Sequence, residues 1–87
     1  MSEADKLFEE LEYYVDTENE DVLIYSNYHD KAFWFFKKKK TIYANDRDGT
    51  SSGITMQELK AINMKCKELG WIEWVILLKK NWENHII

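Results

Sequence analysis

Residues 53–71 read GITMQELKAINMKCKELGW, the one stretch of this chain in which the start, the face and the stop of a helix all agree. Thr55 followed by Glu58 is the pattern of a capping box. In it the Thr hydroxyl and the Glu carboxylate each accept from a backbone N–H that the first turn leaves unpaired. The helix is therefore expected to begin at Met56. Leu59, Ile62, Cys66 and Leu69 recur at helical spacing and make one apolar stripe, with Lys60, Lys65, Lys67 and Glu68 mostly off it. Gly70 can take the left-handed conformation that closes a helix, and Trp71 beyond it can fold back on the last turn. A main helix over residues 56–69, with one face in a core, is the reading around which the rest of the chain is organised.

Working outward, residues 45–53, NDRDGTSSG, are polar and glycine-bearing and read as a surface loop into that helix. Before it, residues 22–28 and 32–37 are rich in β-branched and aromatic types and flank His29 and Asp30, which suits a tight hairpin. Residues 41–44 follow beyond a second turn at Lys38 and Lys39. If both loops are two residues long, Ile24, Phe35 and Ile42 share one face, while Tyr25, Trp34 and Tyr43 form a row on the other, with Leu23 and Phe36 beside it. Tyr13, Tyr14 and Val15 predict a short edge strand, followed by an acidic turn over residues 16–21. Residues 2–11 place Leu7, Phe8 and Leu11 at helical spacing with Ala4 behind them, and Ser2 or Asp5 can cap a short N-terminal helix. In the tail, Trp74, Leu77, Leu78 and Trp82 have helical spacing, but residues 71–78 are also a continuous apolar run with only Glu73 inside it. A terminal helix over residues 73–84 is the favoured reading, and either Trp74, Leu77 and Trp82 pack over the aromatic row or the row stays open as the centre of a partner or dimer interface.

At 87 residues the chain reads as a single domain with one core. Its 45% hydrophobic and 15% aromatic content belongs to folded rather than disordered chains. No apolar run is long enough for a membrane span, and the acidic start lacks the layout of a signal peptide, so a soluble, cytoplasmic protein is expected, monomeric or homodimeric. The lone Cys66 lies on the apolar stripe and reads as a small core residue. Net charge is −4 but unevenly spread: residues 1–21 hold nine acids against Lys6 alone, and the remainder holds eleven bases against seven acids. Such asymmetry steers association with charged partners, although surface charge is more commonly a solubilising coat.

No catalytic or metal constellation assembles from these residues. Asp46, Asp48 and Gly49 look like the middle of a calcium loop, but placing Gly49 at the glycine position leaves Ala44 and Thr55 where the first and last oxygen ligands belong. His29 and His85 have no Cys or second His at zinc-ligand spacing. Ser26, His29 and Asp30 supply hydrolase residue types, yet on a strand and its turn they do not converge as a triad. No cofactor, metal or catalytic residue is expected, and the protein reads as a non-enzyme. The candidate partner-binding residues are Tyr25, Trp34, Phe36 and Tyr43 with the basic run Lys37, Lys38, Lys39 and Lys40. Lysines beside aromatic rings are the ingredients of a single-strand nucleic-acid surface, but they also solvate a turn and guard a strand edge.

The succession of ADKLFEEL over residues 4–11, a β-rich middle and ITMQELKAINMKCKELGW over residues 54–71 resembles a group of small, uncharacterised proteins encoded by phages and prophages of Gram-positive bacteria. Where members of that group often carry Gly and then Tyr after the first helix, this chain has Glu12 and Tyr13, and its tail beyond Trp71 is longer. The resemblance implies a viral accessory protein in the host cytoplasm, where small acidic proteins often bind and disable defence or regulatory machinery.

The combined expectation is an α+β domain. A small antiparallel sheet of three to four strands carries an N-terminal helix and the main helix on one face. The expected function is binding of a host macromolecule, with inhibition of a host defence nuclease as its sharpest form and a nucleic-acid-binding module as the alternative.

Overall fold

The computed structural model describes residues 2–46 and 53–72. Helix α1 (Glu3–Glu10) is followed by strands β1 (Tyr13–Glu18), β2 (Val22–Asn27), β3 (Lys31–Phe36) and β4 (Thr41–Asp46), and then by helix α2 (Met56–Glu68). The strands pair in chain order as an antiparallel meander, and both helices supply side chains to a core on one face of it. The fold is the expected α+β arrangement, with the edge strand a full member of the sheet. The terminal helix expected over residues 73–84, and residues 47–52 of the loop, lie outside the described residues.

Both helices begin as their first residues dictate. Ser2 Oγ accepts from the Asp5 amide at 3.0 Å, which makes Ser2 the cap of α1. At α2 both halves of the capping box are present, Glu58 N–H to Thr55 Oγ1 at 3.0 Å and Thr55 N–H to Glu58 Oε1 at 2.9 Å. Its other end closes in a Schellman motif: Gly70 sits at φ 75°, its amide donates to Lys67 O, and the Trp71 amide donates to Cys66 O. That closure lays the Trp71 ring over Phe35 at 6.1 Å.

The buried face of α2 is rotated from the stripe read in the sequence. Glu58, Ala61, Ile62, Lys65 and Cys66 are buried, whereas Leu59 keeps 37% of its surface exposed. Two charged side chains take inward positions because the other elements bring them partners. Lys65 Nζ lies 3.2 Å from Asp5 Oδ1 and 3.3 Å from Glu68 Oε1, over the ring of Tyr25. The Ala4 amide donates to Glu68 Oε2 at 3.0 Å, so α1 and α2 are tied by charge as well as by apolar contact.

One register departs from expectation. Ser26 pairs with Ala32, Tyr25 with Phe33, Ile24 with Trp34 and Leu23 with Phe35, so β2 and β3 are offset by one residue from the two-residue-loop alignment. The cause lies in the turn. Asn27 Oδ1 accepts from the amides of both His29 and Lys31, and Asp30 adopts φ 66°, which together form a three-residue loop, Tyr28 to Asp30. Because side chains alternate, the offset moves every residue of β2 to the other face. Tyr25 and Leu23 enter the core, at 1% exposure each, and Ile24 takes the place expected for Tyr25. The β3–β4 register is as expected, with Trp34 opposite Tyr43 and Phe35 opposite Ile42, although the turn spans Lys37 to Lys40 with Lys40 at φ 50°.

The core is aromatic. Phe8 of α1 stacks on Tyr25 at 3.9 Å between centroids and meets Tyr13 and Phe35 edge to face, while Phe33 and Phe35 fill the space beneath α2 with Ile62 and Cys66.

Candidate interaction face

The helices cover the face of Tyr13, Leu23, Tyr25, Phe33 and Phe35, so the pleat sends the intervening residues to the other side of the sheet. A central row there runs Thr17, Ile24, Trp34, Tyr43, and a parallel row runs Val22, Phe36, Thr41. Trp34 and Phe36 stack at 6.0 Å and 19°, and Phe36 meets Tyr43 edge to face at 5.5 Å. Trp34 and Phe36 are half-buried, Ile24 opposite Trp34 keeps 8% of its surface exposed, and Tyr43 keeps 59%. Among the described residues, no element packs over this face.

Of the residues singled out in the sequence, Trp34, Phe36 and Tyr43 converge here, and Tyr25 does not. Its ring is sandwiched under α1, and its hydroxyl donates to Asp5 Oδ1. Sequence reasoning missed Ile24, which replaces it, and Tyr14 and Tyr28, whose rings meet at 5.4 Å beside the face. The signal that would have found Ile24 was local: Asn27, a turn-capping side chain, precedes the loop and Asp30, a residue that tolerates positive φ, ends it, which marks a loop of three rather than two.

The lysine run borders the face at the β3–β4 turn. Lys37 Nζ lies 3.4 Å from Glu18 Oε2, and Lys38 Nζ lies 3.1 Å from Asp21 Oδ1, so two of the four cations are opposed by carboxylates of the neighbouring turn. Phe36, Tyr43, Thr41, Lys38, Lys39 and Asp21 line a shallow concavity there. It joins aromatic surface to mixed charge. The opposite edge is uniformly acidic: of the nine acids in residues 1–21, all but Asp5 are exposed.

On the helix side, two carboxylate clusters are structural. Glu58 accepts from Tyr13 Oη and Lys31 Nζ, each at 2.7 Å, as well as from the Thr55 amide. Burial pushes its carboxyl upward, but bonds from Lys31, Thr55 and Tyr13 outweigh that and hold it below the usual carboxylate range. Asp5 and Glu68 behave alike, burial being outweighed by Tyr25, Lys65 and Ser2 for the first and by Ala4, Ser2 and Lys65 for the second. Tyr13 and Tyr25 are pushed far above the ordinary tyrosine value, by burial first and then by the carboxylates they bond. Asp5 and Glu68 tie α1 to α2, and Glu58 ties α2 to the sheet.

Nucleophilic and metal chemistry find no support among the described residues. Burial raises the Cys66 thiol, which keeps it protonated, and the Ser26 hydroxyl donates to Asp16 at 2.8 Å rather than facing His29. No three His, Cys, Asp or Glu side chains cluster as metal ligands among the described residues, and no helix there is long and apolar enough to cross a membrane. No protein family, curated protein or solved structure gives a match to this chain.

Proposed function

We propose that this chain is a non-enzymatic, phage-encoded accessory protein that acts in the host cytoplasm by binding a host protein through the face of Ile24, Trp34, Phe36 and Tyr43. The observation that carries this reading is the cluster of three rings on the side of the sheet away from both helices, with Tyr43 at its exposed margin. Aromatic residues of this kind are the usual anchors of protein interfaces. Beside it, β1 and its flanking turn expose Asp16, Glu18, Glu20 and Asp21, an acidic edge on which Lys37 and Lys38 oppose Glu18 and Asp21 only. An aromatic anchor next to an acidic edge complements a groove built to hold nucleic acid, so the sharpest form of the proposal is inhibition of a host defence nuclease.

A nucleic-acid-binding module is the second reading, favoured by Lys38 and Lys39 lining one concavity with Phe36 and Tyr43. The carboxylates of Glu18 and Asp21 weigh against it, because they cancel cations that phosphate would need. Capture from Gram-positive host lysate with wild type, Trp34→Ala and Tyr43→Ala separates the two. A nuclease retained by wild type and lost by both variants supports the first reading. Retention of salt-sensitive oligonucleotides with no protein supports the second.

A further inference from the structure

The sheet has two edges of different character. On β1 the pairing shifts between Val15 and Thr17, which bulges the strand at Asp16, and Asp16 and Glu18 are exposed along it. Bulges and like charges are the usual means of keeping an edge from pairing with another chain. The β4 edge has neither a bulge nor a proline, and among the described residues nothing hydrogen-bonds to its outer side.

Its charges are ordered end to end. Lys38, Lys39 and Lys40 precede the strand and Asp46 closes it, all exposed, and neither Lys40 nor Asp46 has an ion-pair partner among the described residues. A strand that is basic at its start and acidic at its end is complementary to its own antiparallel copy. Symmetry narrows the register further. Edge groups alternate direction with period two, so in a two-fold antiparallel pair some residue must stand opposite itself. With Tyr43 at that position, Ile42 meets Ala44 on the helix side, Thr41 meets Asn45, and Lys40 meets Asp46 of the copy, twice over. With Ile42 there instead, Lys40 faces Ala44; with Ala44 there, Asp46 faces Ile42. The Ile42-centred register also sets Lys38 opposite Asp46, but Lys38 is already held by Asp21, so the Tyr43-centred register is the one that gives Asp46 a cation without another partner among the described residues while pairing apolar groups with each other.

We propose that a second copy of this chain pairs along β4, antiparallel and centred on Tyr43, to make a continuous eight-stranded sheet. The surface is the edge of β4 rather than the aromatic face, so this inference stands independently of the function proposed above. Joining the edges brings the two aromatic faces into one surface, with the Tyr43 rings side by side at the seam.

Sedimentation equilibrium over a range of concentrations tests it. Wild type is expected to move from the 10.5 kDa chain mass toward twice that value as concentration rises. Lys40→Asp and Asp46→Lys each turn two attractive contacts repulsive, and each is expected to weaken the dimer about tenfold. The double variant restores both contacts with reversed polarity and is expected to return association to near the wild-type value. Lys31, the ladder partner of Asp46, is turned to Glu58, so the exchange leaves that pair in place. Tyr43→Lys sets two ammonium groups against each other at the two-fold and is expected to give monomers whose melting temperature matches that of wild type at concentrations low enough to be monomeric. A wild type that keeps the single-chain mass at its highest soluble concentration overturns the proposal. So does a dimer indifferent to these substitutions, or a double variant no better than the single ones.

Discussion

Single residues in this chain carry more than one duty, and Glu12 and Glu58 show it in opposite senses. Glu12 turns the chain from α1 into β1 at φ 69°, where a Cβ crowds the backbone. A left-handed non-glycine residue costs about 1–2 kcal/mol, and glycine returns about 0.5–1 kcal/mol of that through its greater freedom when unfolded. Glu12→Gly is therefore expected to stabilise the domain by about 0.5–1 kcal/mol, read as a higher urea midpoint; an unchanged or lower midpoint would place the strain elsewhere. Glu58 caps α2 and also anchors Tyr13 and Lys31, and it ionises more readily folded than unfolded, as do Asp5 and Glu68. The unfolded chain thus takes up protons first as acid is added. The stability these groups contribute is complete above the ordinary carboxylate range, about 4, and is lost as pH falls through it toward their lowered folded values. The urea midpoint is expected to fall between about pH 7 and about pH 3, and Glu58→Gln should show a lower midpoint at the upper pH with a shallower fall. An equally steep fall in that variant would mean the linkage runs through other acids.

Elements were legible where their signals are local. The capping box, the Gly70 stop and the Ser2 cap lie within a few residues of what they govern, and α1 and α2 begin and end accordingly. Thr55→Ala is expected to cost about 1 kcal/mol in equilibrium denaturation, and Lys60→Ala, exposed on the outer side of α2, well under half as much. Equal losses would mean that the cap does not hold the helix start. The buried face of α2 was less legible because apolar spacing assigns charged residues outward. Lys65 and Glu58 turn inward for partners far off in the chain: Asp5 on α1 for the first, and Tyr13 and Lys31 on β1 and β3 for the second. The β2–β3 register failed for a different reason. A two-residue loop and a three-residue loop share the same flanking strands, and the choice rests on one side chain, Asn27, accepting two amides. That offset exchanged Tyr25 for Ile24 in the candidate site, while Trp34, Phe36 and Tyr43, fixed by the β3–β4 register, were correctly grouped from the sequence.

At the scale of the whole molecule, the sheet separates the face that folds the chain from the face proposed to bind a partner, and β3 carries both on successive residues. Phe33 points into the core with no exposed surface, among Phe8, Tyr13 and the side chains of α2. Trp34 points the other way, half-buried between Ile24, Phe36 and Tyr43. Phe33→Ala leaves a cavity that the surrounding rings cannot close, and it is expected to cost about 3–5 kcal/mol. Trp34→Ala removes a large ring from a surface where water can fill the space, so its cost is expected to be roughly half that or less. If the proposed function holds, its larger effect is expected on association, because the ring that Phe36 and Tyr43 are arranged around is gone. Thermal denaturation and lysate capture on the two variants therefore give crossed results: the Phe33 variant melts early and, below its melting point, still captures the partner, while the Trp34 variant melts near wild type and captures nothing. Should Trp34→Ala unfold the chain as severely as Phe33→Ala, the ring would be part of a second core, and the partner would have to be sought at the acidic edge of β1 instead.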